Sequence, residues 1–131
     1  MDWTEVPGES VDACDAALSF FSPTSWRFYL PAYLCRSLFH FSAPDFETDM
    51  LDAVIFQLTL PDDPVIRAYL LPRYRLLDAA QRQAVTHFLE FVEQESLMLI
   101  ESTNSYWGAY DNAKAALRSY WQPDAPAPRS R

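Results

Sequence analysis

The chain has 131 residues, half of them hydrophobic and 15% aromatic, and a formal net charge of −8. That length suits one domain able to bury a real core, and the apolar share excludes a disordered chain. The acid excess argues against nucleic acid and anionic membrane surfaces as partners.

The acid is concentrated at the front. Residues 1–63 hold eleven acids and two arginines, whereas residues 64–131 hold seven acids and eight bases. A field of that sign attracts cationic partners in a salt-dependent way, although the same charges also serve simply to keep a small protein in solution. The opening MDWTEVPGESVD lacks the basic start and apolar run of a signal peptide. No apolar stretch reaches ~18 residues, so a cytoplasmic protein is expected.

In chain order, residues 2–8 read as an irregular lead-in with Trp3 docked on the core, and Ser10 or Asp12 can cap a first helix running to about Phe21. The stretch Leu18–Leu38 is the expected organiser of the core, with large apolar and aromatic side chains set around two prolines. Ser22-Pro23 starts a helix through Trp26 and Tyr29. Pro31 should kink or break it, after which Leu34, Leu38 and Phe41 form the stripe of a further helix. Asp45 or Thr48 caps the next helix, with Leu51, Val54, Ile55 and Leu58 inward and Asp49, Asp52 and Gln57 off that stripe. Leu60-Pro61-Asp62-Asp63-Pro64 ends it in a stiff loop.

Residues 65–74 predict another helix that Pro72 should terminate or bend near Leu71. Asp78 followed by Gln81 is a capping-box signature for a helix to about Ile100, with Ala84, Val85, Phe88, Leu89 and Val92 inward. After the polar break 102–105, Tyr106, Tyr110, Ala113, Leu117 and Tyr120 predict a final amphipathic helix with Lys114 and Arg118 on its polar side. The tail from 122 to 131 has three prolines and no bulky apolar group, and is expected to be disordered. No alternating strand pattern is present and the chain has only two glycines. The expected fold is therefore all-α: a single compact domain over residues 1–121, built of five or six proline-kinked helices.

Chemistry-bearing motifs are sparse. Cys14 and Cys35 stand in apolar helical contexts without a CxxC, which predicts buried free thiols. His40 and His87 fall on different helices, His87 as an ordinary surface residue, and nothing delivers a nucleophile to either. The run Asp45, Glu47, Asp49 begins like a calcium loop, but its sixth position is Met50 and its twelfth Phe56, so no metal is expected. Arg67, Arg73 and Arg75, interleaved with Tyr69 and Tyr74, form the one basic aromatic patch. It is read as pairing with the acids of the first half rather than gripping a phosphate backbone. No glycine-rich phosphate loop, G-x-S-x-G or H-E-x-x-H occurs, so neither cofactor nor catalysis is expected.

The run Phe20-Phe21-Ser22-Pro23 through Arg27-Phe28-Tyr29-Leu30-Pro31-Ala32-Tyr33-Leu34, followed by Leu77 to Gln81 with Ala84, Val85, Phe88 and Leu89, resembles a bacterial family of uncharacterised small proteins, a domain of unknown function. The resemblance covers about residues 12 to 95 and leaves out the final helix and tail. It implies a small helical domain and supplies no activity or catalytic residues.

The expectation for function is an acidic, non-catalytic protein that captures or neutralises a basic protein, for example an immunity protein against a bacterial toxin. Its candidate contacts are Asp45, Glu47, Asp49, Asp52, Asp62 and Asp63. One alternative is a small ligand-binding domain or enzyme with Arg27 in an aromatic pocket formed with Trp26, Tyr29 and Tyr33. Another is a homo-oligomeric module joined through the Tyr106 to Trp121 helix.

Overall fold

Three of the helix starts are written in side chains that supply acceptors for the unpaired amides of a helix N-terminus. In the computed structural model, which describes residues 21–41, 49–103 and 108–122, Ser22 precedes α1 (Pro23–Phe41), and its Oγ accepts from the Ser25 amide at 3.3 Å. Asp63 precedes α3 (Pro64–Leu76) and accepts from the amides of Val65 at 2.9 Å and Ile66 at 3.2 Å. In both helices proline occupies the first position, where no amide is needed. Asp78 and Gln81 form the reciprocal box that the sequence predicts, each side chain accepting from the other's amide at 2.8 Å, and α4 (Ala79–Thr103) runs on from there. Asp78→Ala is expected to lower stability by ~1 kcal/mol; thermal unfolding of the variant against the parent measures it.

The described residues are all-α, completed by α2 (Asp49–Gln57), α5 (Gly108–Ala116) and a π-helical turn at Leu117–Trp121, with no strand among them. Helix α1 packs against α2 and α3, α2 against α5, and α5 along the long α4. The expected first helix, the docking of Trp3, Tyr106 and the tail beyond Gln122 lie outside the described residues.

Of the kink or break expected at Pro31, and the end or bend expected at Pro72, the break and the end do not occur. Helix α1 passes through Pro31 and α3 through Pro72 without ending. Each proline deprives the carbonyl four residues earlier of its donor. Those carbonyls belong to Arg27 and Ala68, both exposed, where water can serve them. Meanwhile the buried stripes continue across the prolines: Trp26, Leu30, Tyr33 and Ser37 in α1, and Leu70, Arg73 and Tyr74 in α3. Burial on the far side of each proline holds the helix together.

The core joins Trp26, Leu30 and Tyr33 to Leu51, Val54, Ile55 and Leu58 of the second helix and to Val85, Phe88, Leu89 and Val92 of the fourth. Those positions follow the predicted periodicity, with two departures. Ala84 is exposed, since it sits about 100° of helical rotation before Val85 and its small side chain gains little from burial. Cys35, expected buried, is an exposed free thiol, because two residues from both Tyr33 and Ser37 it falls on the opposite side of α1.

A third departure explains how the helices are tied. Gln57, expected off the stripe, is buried and receives the Trp26 indole Nε1–H on its Oε1 at 3.2 Å. The backbone beyond it is fully engaged. The Ile55 carbonyl accepts from the Leu58 amide at 3.0 Å and the Thr59 hydroxyl at 2.8 Å, and that of Phe56 from the Thr59 amide at 3.2 Å. The Gln57 carbonyl accepts from Tyr74 Oη–H at 2.8 Å, and that of Leu58 from the Trp121 indole N–H at 2.7 Å. The carbonyls left over at a helix C-terminus are thus satisfied by two aromatic side chains from distant helices.

The widened π turn makes the last of these contacts possible. Its closing bond runs from the Gln122 amide to the Leu117 carbonyl, at 2.6 Å, and Ser119 Oγ both donates to the Ala116 carbonyl and accepts from the Leu60 amide. The extra residue in the turn carries Tyr120 and Trp121 onto Tyr74, with ring centroids 4.9 and 4.8 Å away.

Candidate functional site

The four residues expected to line a ligand pocket part company on α1. Trp26 and Tyr33 are sealed into the core, at 0% and 3% exposure. Tyr29 is half-buried, stacked on Phe21 with centroids 4.9 Å apart and edge-on to Phe28. Arg27 is exposed, so its guanidinium is not enclosed by the aromatic groups next to it in sequence.

Two of the arginines of α3 reach backbone carbonyls. Arg73 is buried, its guanidinium 3.6 Å from the Tyr69 ring centroid, and it donates to the carbonyls of Tyr69 and of Phe21, the latter at 2.8 Å. Arg67 reaches the Pro61 carbonyl at 3.2 Å. These side chains bind backbone oxygens and knit loops to the helix. Arg73 Nε is a buried donor without a hydrogen-bond partner.

Of the acidic set, Asp45 and Glu47 lie outside the described residues and Asp49 opens α2. Asp52, Asp62 and Asp63 are exposed. Asp63 already accepts two amides as the cap of α3, whereas Asp52 borders a groove between α2 and α5. That groove encloses about 230 Å³ and is lined by Asp52, Ile55, Phe56, Thr59, Asn112 and Ala115. Ile55 is its sealed floor at 1% exposure, and the Phe56 ring stands out at 65%. Positions 52, 55, 56 and 59 form one face of the helix and its C-terminal turn, and 112 and 115 one face of the facing helix. The bond from the Leu60 amide to Ser119 Oγ pins the two C-terminal ends together and fixes the spacing of the walls.

The sequence points to Asp52 and misses the groove. The stripe of 52, 55, 56 and 59 is legible as helical spacing, but its juxtaposition with Asn112 arises only from the packing of two helices distant in sequence. The final helix, read as a possible face for a second copy, turns Ala109, Ala113, Ala116 and Leu117 into its own core. Burial, with the neighbouring Tyr120 hydroxyl adding to it, pushes the Tyr74 phenol well above the ordinary tyrosine range. This phenol is a structural donor, tied to the Gln57 carbonyl.

Among the described residues no helix is long and apolar enough to cross a membrane, and no three metal-binding side chains gather. No curated protein and no solved structure matches the chain. A family's sequence model does, over residues 1–125, a wider span than the motifs suggested and one that takes in the final helix. On that match the chain belongs to DUF6714, a family of unknown function.

Proposed function

We propose that this chain is a non-catalytic, cytoplasmic binding protein that captures a basic protein partner, as an immunity protein plugs a cationic toxin. The observation that carries the reading is the exposure of Asp52 and Asp62 on the acidic half alongside exposed apolar groups, Phe56 at 65% and Val65 at 78%. Interfaces with cationic proteins combine those elements: apolar anchors for contact area, and carboxylates that speed encounter and set orientation. Tyr120 and Trp121 of the π turn pack against the core and are not needed at that surface.

The test is a capture experiment from the native cell with the parent and a variant carrying Asp52→Lys, Asp62→Lys and Asp63→Asn. Asparagine is chosen at 63 because it keeps the acceptor that caps α3. The parent is expected to retain a basic protein whose association slows with added salt, and the variant to associate about tenfold more slowly. Capture that is indifferent to both the substitutions and salt overturns the reading.

A further inference from the structure

We infer that the outer face of α4 is the seat of the same helix from a second copy of this chain, the two running antiparallel. This face lies on a different helix from Asp52 and Phe56, so the pairing stands independently of the capture reading. Spacing is the first reason. Ala84, His87, Phe91, Gln94, Met98 and Glu101 are all exposed, and they recur at alternating intervals of three and four residues. That rhythm keeps one seam of a helix turned toward a partner helix. The opposite side of α4, with Val85, Leu89, Val92 and Ser96, is sealed in the core, so the exposed stripe is a second seam that the fold has not used. Phe91 at 44% and Met98 at 58% exposure place apolar groups along it, and Leu97 flanks them at 37%.

Charge complementarity is the second reason, and it sets the direction. Residues 79–88 carry Arg82 and His87 and no acid, whereas residues 89–103 carry Glu90, Glu93, Glu95 and Glu101 and no base. That order runs against the helix dipole, whose negative C-terminal end disfavours carboxylates. A second copy running the other way lays its positive N-terminal end and its basic half beside those glutamates. Parallel copies would set glutamate against glutamate. Size agrees with charge: antiparallel pairing brings the Ala84 end of one stripe to the Met98 end of the other, small against large, while parallel pairing stacks alanine on alanine and leaves a gap. The stripe is ~26 Å long and one helix wide, short of the ~1,200 Å² of a permanent interface, so the pair is reversible.

Sedimentation equilibrium of the full chain, from on the order of 10 μM to 1 mM, tests the pairing. The mass is expected to rise with concentration from one chain to two. Three variants at exposed positions of the stripe then read the face and its direction. Met98→Gln should weaken association about tenfold, since the lost apolar contact counts twice in a two-fold pair. Ala84→Glu adds a carboxylate opposite the partner's glutamates and should weaken it about fivefold, whereas Ala84→Lys should tighten it about threefold. An unchanged circular dichroism spectrum and melting temperature certify that each variant remains folded. A single-chain mass at every concentration overturns the proposal, as does a dimer indifferent to positions 84 and 98, which would be joined through another face. Lys and Glu at position 84 acting in the same direction overturn the antiparallel arrangement.

Discussion

Replacing Trp26 with alanine is expected to cost ~3–5 kcal/mol of unfolding free energy, a large share of the ~5–15 kcal/mol typical of a domain. The indole is fully buried, its ring lies 5.9 Å from that of Tyr74, and its N–H reaches Gln57 across 31 residues of sequence. Truncation removes the apolar area, leaves a cavity between α1, α2 and α3, and takes away the donor on the Gln57 amide. Trp26→Phe separates these contributions: most of the area stays while the N–H goes, so the loss should fall to ~1–3 kcal/mol. Urea unfolding followed by circular dichroism reads both. A Trp26→Ala loss below ~1 kcal/mol would show that the corner is not the centre of the core.

The second large effect is alkaline unfolding through Tyr74. Below pH ~10 the phenol is protonated in both the folded and the unfolded chain, so its contribution is fully present there. As pH rises further, the unfolded chain releases the proton while the folded chain, whose phenol is pushed well up by burial and by Tyr120, keeps it. The unfolded state then binds fewer protons, and stability falls by about 1.4 kcal/mol per pH unit until the folded phenol itself ionises. Tyr74→Phe should abolish that share of the slope. At neutral pH the same change should cost ~1–2 kcal/mol, since the Gln57 carbonyl loses its phenol donor. Urea midpoints measured from pH 8 to 12 in the two proteins are decisive; parallel slopes above pH ~10 would rule the mechanism out.

The class of fold was legible because helical spacing and capping chemistry are local. Asp78 with Gln81, Ser22 with Pro23, and the stripe of Leu51, Val54, Ile55 and Leu58 all stand in the structure as the spacing implies. What was not legible depended on contacts between distant segments. Pro31 and Pro72 looked like places where a helix kinks or ends because local backbone preference opposes it there; buried groups on both sides of each proline carry the helix through. Gln57 looked like a surface amide until an indole and a phenol arrived from other helices. Arg73 looked like part of a basic patch, yet its donors go to carbonyls, one of them 52 residues away. The acidic contacts were readable as residue types, and Asp52 as one edge of the groove, but the opposite wall at Asn112 and Ala115 came from packing alone.

The indole of Trp121 that closes on the Leu58 carbonyl bears on how the protein is made. On the ribosome, the end of the second helix must wait for some sixty further residues before its last acceptor is occupied. The nascent polypeptide therefore reaches its final packing late, and until then it is a substrate suited to chaperones.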